Sequence, residues 1–114
     1  MKNISVLYLR GNNLEYIDDA VEEWNHLRTL DISQNELRSL PEGIYKCREL
    51  VSINLSNSKF LTGFSESIGN LTQLKTLNLT LCTQLESLPP SIGRLKQLEI
   101  LSLYKCQNLL MLPE

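Results

Sequence analysis

Residues 74–82 read LKTLNLTLC, with the apolar residues Leu74, Leu77 and Leu79 in the first, fourth and sixth places. From Leu77 to Thr80 apolar and polar residues alternate, the period of a strand with one buried face. The same spacing starts at Ile4 (ISVLYLRGN), Leu27 (LRTLDISQN), Leu50 (LVSINLSNS) and Leu98 (LEILSLYKC), with steps of 23, 23, 24 and 24 residues. Self-similarity at a fixed period of this length is the mark of a solenoid, in which each copy is one structural coil.

Each strand segment is followed by an arc that carries a second apolar set. The set is Leu14, Ile17, Val21 and Trp24 in the first copy, and Leu37, Leu40, Ile44 and Cys47 in the second. In the fourth it is Leu85, Leu88, Ile92 and Leu95. The segments LPEGI and LPPSIG put Pro41, Pro89 and Gly93 where the chain must turn back. Arcs this short predict single-turn or 3₁₀ segments rather than long helices. One coil cannot bury its leucines alone, so the copies must stack into a continuous core.

The pattern resembles that of leucine-rich repeat proteins, and the resemblance runs from Ile4 to Glu114. It implies an α/β solenoid, a right-handed horseshoe with five parallel concave strands and short 3₁₀, helical or irregular convex arcs. A single domain over residues 1–114 is expected, with repeats starting near 4, 27, 50, 74 and 98. The ninth place of the copies reads Asn12, Asn35, Ser58, Cys82 and Cys106. By the resemblance, this residue points inward and bonds backbone groups of the turn. Asn35 precedes Leu37 by two positions, whereas Cys82 precedes Leu85 and Cys106 precedes Leu109 by three. Ser58 and Leu61 share the longer spacing. The first two coils are therefore of an Asn type. The last three, with LCTQLESLPPSIGRLKQL, are similar to the Cys type of plant intracellular disease-resistance receptors. Similar short arrays occur in effectors that intracellular bacteria inject into host cells.

A chain of 114 residues with net charge −2 and pI about 5.4 lacks the basic balance of a nucleic-acid binder. No run of 18 apolar residues suggests a membrane span, and the N-terminus leads into the first strand with no signal-peptide pattern. Three cysteines do not make a disulfide framework, so a cytoplasmic setting is expected, the host-cell cytosol for a bacterial effector. Cys47 falls at a core place. Cys82 and Cys106 fall in the inner row of adjacent coils, where parallel side chains favour reduced thiols over a disulfide. His26 precedes Leu27 at the end of an arc, and no metal-ligand spacing accompanies it. No nucleophile elbow, phosphate-binding glycine loop or cysteine with an adjacent base is present, which predicts no enzyme activity and no cofactor. The acidic run Glu15, Asp18, Asp19, Glu22 and Glu23 lacks calcium-loop spacing and reads as a solvated arc. Four N-glycosylation matches, at Asn3, Asn54, Asn70 and Asn78, are produced by the repeat motif itself.

Function is then to be sought at the positions that vary. The third, fifth and seventh residues of each copy should point out of the concave sheet. The third row is Val6, Thr29, Ser52, Thr76 and Ile100; the fifth is Tyr8, Asp31, Asn54, Asn78 and Ser102. The seventh is Arg10, Ser33, Ser56, Thr80 and Tyr104. Small polar residues fill the middle, while Tyr8 and Arg10 lie at one end and Ile100 and Tyr104 at the other. Tyrosine and arginine are enriched among interface hot spots, so these predict anchors, with Asp31, Asn54, Asn78 and Ser102 as polar contacts. Arg94, Lys96 and Lys105 are alternative loop positions. The expected role is a protein-binding module, as a receptor segment or as an effector that blocks a partner enzyme. The alternative is the substrate-recruiting part of a multi-domain enzyme such as a bacterial ubiquitin ligase. A structural spacer is a third reading. Leu109, Leu110 and Leu112 of the fifth coil must meet water, a partner or another copy. This fits a fragment of a longer array, an end-to-end dimer, or an end covered by a partner.

Overall fold

The computed structural model describes residues 4–17 and 24–110. The alternation that starts each copy yields five three-residue strands, β1 (Val6–Tyr8), β2 (Thr29–Asp31), β3 (Ser52–Asn54), β4 (Thr76–Asn78) and β5 (Ile100–Ser102). They form one open parallel sheet in chain order. Equivalent places of the copies pair throughout, so Leu7, Leu30, Ile53, Leu77 and Leu101 lie in one row. The pairing continues past the strands, where Leu9, Ile32, Leu55 and Leu79 each donate an N–H to the next coil at 2.7–3.0 Å. The horseshoe solenoid read from the sequence is thus the fold found.

The return arcs are 3₁₀ turns, η1 (Glu42–Lys46), η2 (Glu66–Asn70) and η3 (Pro90–Arg94). Pro41 and Pro89 enter η1 and η3 in extended backbone, with φ of −66° and −68°, close to the value proline's ring imposes. Ser65 does the same work for η2 by accepting the Ser67 N–H at 3.0 Å. The first arc falls largely on residues 18–23, so Val21 and the acids Asp18, Asp19, Glu22 and Glu23 lie outside the described residues, as do Asn3 and Leu112.

Two apolar sets, one from the strands and one from the arcs, meet in a continuous core. Leu27, Leu30, Ile32, Leu50, Leu55, Leu74, Leu77 and Leu79 are wholly buried, as are Ile44, Cys47, Ile68 and Leu71 opposite them. Cys47 stands where Leu71 and Leu95 stand in the following coils. Burial weakens at both ends, where Leu7 and Leu101 are half-buried because each packs against a single neighbouring coil.

The inner row changes its chemistry along the array. Asn35 satisfies both its groups: Oδ1 accepts from Asn12 N and Leu14 N at 3.0 and 2.9 Å, and Nδ2 donates to Leu9 O, Ile32 O and Ser33 O at 2.9–3.2 Å. A thiol can donate but offers only a weak acceptor. Cys82 donates to Leu55 O at 3.2 Å and Cys106 to Leu79 O at 3.0 Å, each reaching the preceding coil. The backbone N–H groups of the preceding coil that lose an amide acceptor are served instead by tight turns, Leu61 N to Ser58 O below Cys82 and Leu85 N to Cys82 O below Cys106. Such an i to i+3 turn takes one more residue, which accounts for the 24-residue step. Ser58 sits at the junction and already turns in the second manner, with Leu61 N bonded to Ser58 O at 3.2 Å.

The eighth place of every copy has left-handed backbone: Gly11 (φ 72°), Gln34 (56°), Asn57 (58°), Leu81 (61°) and Lys105 (56°). Only Gly11 adopts it without a steric cost, and for Leu81 the Cβ makes it unfavourable. The stacked carbonyl bonds Gly11 N to Ser33 O, Gln34 N to Ser56 O, Asn57 N to Thr80 O and Leu81 N to Tyr104 O hold the row in place.

Candidate functional site

The concave sheet carries the residues singled out by the sequence. Parallel pairing puts Val6, Thr29, Ser52, Thr76 and Ile100 in one lane. A second lane holds Tyr8, Asp31, Asn54, Asn78 and Ser102. Lanes of this kind step about 4.8 Å from coil to coil, so the two ends of the sheet lie roughly 19 Å apart.

The polar middle is held rigidly. Asp31 Oδ1 accepts from the Ser33 N–H at 3.0 Å and from the Ser33 hydroxyl at 2.6 Å. Asn54 Oδ1 accepts from Ser56 N at 2.9 Å, and Asn78 Oδ1 from Thr80 N at 3.0 Å. The repeated contact fixes each side-chain oxygen against its own chain. Thr76 Oγ1 donates to Ser52 Oγ at 2.9 Å in the neighbouring lane. Above β3–β5 lies a shallow hollow of about 210 Å³ bordered by Ser52, Asn54, Thr76, Asn78, Ile100 and Ser102.

The large side chains stand at the ends. Tyr8 is 70% exposed, Tyr104 65% and Ile100 56%, and Arg10 is exposed beside Tyr8. Lys105 Nζ lies 5.5 Å from the Tyr104 ring centroid, a cation–π contact that covers one face of the ring. One expectation fails in the seventh lane. Ser33 is only 1% exposed, and its hydroxyl donates to the Asp31 carboxylate at 2.6 Å. Ser56 and Thr80 remain half-buried in the same lane.

None of the three cysteines is joined in a disulfide, and their thiols serve the framework. Burial pushes the pKa of all three thiols up, that of Cys82 to about 11, with Cys47 and Cys106 moved in the same direction. Such thiols are poor nucleophiles near neutral pH. His26 is exposed and its Nδ1 lies 3.0 Å from Glu49 Oε2. Among the described residues no three His, Cys, Asp or Glu side chains converge as a metal site.

A feature the sequence reading passed over lies on the edge where strands run into arcs. Phe60 is exposed, with the Arg38 guanidinium carbon 5.8 Å from its ring centroid. It borders a hollow of about 340 Å³ with Gln34, Glu36, Asn57 and Lys59. The signal was present, since the residue before the first core leucine of the arc is Glu36, Gln84 or Asn108 in other copies.

A family model described as "Leucine rich repeat" matches residues 2–60. A 61-residue stretch, 52% of this chain, is 36% identical to 5% of the protein flightless-1 homolog of Caenorhabditis elegans. A 71-residue stretch, 61% of this chain, is 34% identical to 9% of the receptor like protein 22 of Arabidopsis thaliana. This chain thus spans a small part of the length of the curated relatives it matches. Among solved structures, a leucine-rich repeat protein of Leptospira interrogans superposes with a TM-score of 0.71 at 25% identity, over 98% of this chain and 34% of that one. The ectodomain of a receptor kinase from Arabidopsis thaliana superposes with a TM-score of 0.57 at 20% identity, over 95% of this chain and 73% of that one, which speaks to fold alone.

Proposed function

The chain belongs to the leucine-rich repeat family, whose fold generally serves as a protein-binding module, and on that premise we propose that it binds a partner protein through the concave sheet. The observation that carries this reading is the contrast along that sheet. Exposed Tyr8, Arg10, Ile100 and Tyr104 stand at its ends, and a polar floor of Asp31, Asn54, Asn78 and Ser102, the first three pre-ordered by their own backbone, runs between them. Side chains already fixed by their own backbone lose little freedom on binding, so their contacts are not offset by ordering. Aromatic anchors add area at low entropy cost. The proposal covers the receptor-segment and blocking-effector roles alike, since both need only a matched surface. A reducing cytosol suits it, because reduced Cys82 and Cys106 act as hydrogen-bond donors within the framework.

Affinity capture with the intact protein, followed by mass spectrometry, supplies the partner. Tyr8→Ala and Tyr104→Ala are then compared with the parent in a titration against it. Hot-spot anchors should each cost more than about 1 kcal/mol. Smaller losses for both would remove the tyrosines from the site.

A further inference from the structure

The edge at which arcs feed into strands carries a second surface, separate from the concave sheet. The residues just before β2, β3 and β4 are Arg28, Val51 and Lys75. Backbone bonds stack them: Arg28 O accepts from Val51 N and Ser52 N, and Val51 O accepts from Lys75 N and Thr76 N, all at 2.8–3.1 Å. Arg94 and Lys96 approach the same row from the end of η3. Together they border an open groove of about 580 Å³, floored by half-buried Val51 and bordered also by the neutral Thr72, Gln73 and Gln97.

The charge of this groove runs against that of the molecule. The chain as a whole is net acidic, yet four cations and no carboxylate line the groove. Two acids flank it. Glu49 is engaged by His26 at 3.0 Å, and Glu99 follows Lys75 in the stacked row. Neither lies within ion-pair distance of Arg28, Lys75, Arg94 or Lys96 among the described residues. All four cations are exposed. Like charges gathered without ion-pair partners repel, and an anionic ligand relieves that repulsion.

We infer that this groove is a docking site for an acidic peptide segment of a partner protein. Gln73, Gln97 and Thr72 supply side-chain donors and acceptors suited to an extended backbone, and the cations supply the pairing with carboxylates. No aromatic ring lines the groove, so the stacking platform of a single-stranded nucleic-acid site is missing. The inference does not depend on the concave reading.

The test uses a fluorescent peptide of alternating glutamate and serine, its glutamine counterpart, a single-stranded oligonucleotide, and phosphatidylserine vesicles, each titrated with the intact protein. The acidic peptide should bind and the glutamine peptide should not, with affinity falling at least about tenfold between about 50 and 300 mM salt. Reversal of two groove charges, Lys75→Glu with Lys96→Glu, should weaken binding by about tenfold or more, since facing charges then repel. The same two-charge change outside the groove, Arg38→Glu with Lys59→Glu, should weaken it less than about threefold. Lys96→Glu alone, at an exposed site, serves if the double variant melts early. Equal loss in the outside variant overturns the inference, because net charge alone would then explain binding. Failure of the acidic peptide to bind overturns it too. So does binding of the oligonucleotide or vesicles as tight as that of the peptide and equally sensitive to the groove reversal.

Discussion

Gly69 and Gly93 occupy the same place in successive arcs, yet alanine should act oppositely at the two. A Cβ on Gly69 would lie 2.9 Å from both Ser91 Cβ and Ser91 O, and 3.1 Å from Arg94 Cδ. Carbon contacts are favourable at about 3.5–4.0 Å, so about half an ångström must be found. Ser91 is buried and its carbonyl belongs to η3, which cannot swing aside like a side-chain tip. Forcing η2 and η3 apart should cost about 1–3 kcal/mol, partly offset by about 0.4–1 kcal/mol from the stiffer unfolded chain. Gly69→Ala is therefore expected to destabilise by about 1–2 kcal/mol, near the middle of the effects seen for single substitutions. At Gly93 no atom lies within 4 Å of the added methyl. With no clash to offset, Gly93→Ala should be neutral or stabilising by up to about 1 kcal/mol. Urea unfolding followed by far-UV circular dichroism measures both. Equal midpoints for the two variants would refute the claim that successive arcs pack on backbone at Gly69.

Leu77→Ala, in the wholly buried central row, should lose about 2–5 kcal/mol in the same unfolding assay. Asn35→Ala deprives Asn12 N and Leu14 N of their acceptor and Leu9 O of one of its two donors; at about 1–3 kcal/mol for an unsatisfied buried group, it should loosen the first coil, read as faster amide exchange there. Leu81→Asn replaces a β-carbon-hindered left-handed residue with one that tolerates φ of 61°, and should raise stability by about 0.5–1 kcal/mol. The Cys82 thiol is neutral in the folded chain until about pH 11, against 9.0 when unhindered. The unfolded chain therefore ionises first, and stability should be full below pH 9.0 and fall as pH rises toward about 11. Thermal melting across that window, with Cys82→Ala showing a shallower decline, checks the sign.

The fold was legible because a leucine at the first, fourth and sixth places can be buried in one way only when five copies must share a core. Leu77 and its row needed no other information. The arcs were legible for a similar reason, since Pro41 and Pro89 set the backbone angle at which a 3₁₀ turn begins. The concave lanes followed from the period of two, but the burial of Ser33 did not, because periodicity says nothing of the bond its hydroxyl makes to the aspartate two residues earlier. Phe60 broke the pattern of its aligned places and could have been noticed. The groove of Arg28, Lys75, Arg94 and Lys96 was hidden for a different reason. Its members come from separate coils and from different places within the repeat, and only the stacking of backbone rungs brings them together. The extra residue of the later coils was visible as a number, while its cause, a turn replacing an amide acceptor, needed the hydrogen bonds.

The fourth coil meets β3 on one side and β5 on the other in the same register, with the same thiol bond and the same turn above and below. It is therefore compatible with itself. A tandem duplication of residues 74–97 should slot in as one more rung, leaving every face in place and moving Tyr8 about 4.8 Å further from Tyr104. The array is in this sense a ruler, and the number of rungs sets the size of what it can measure.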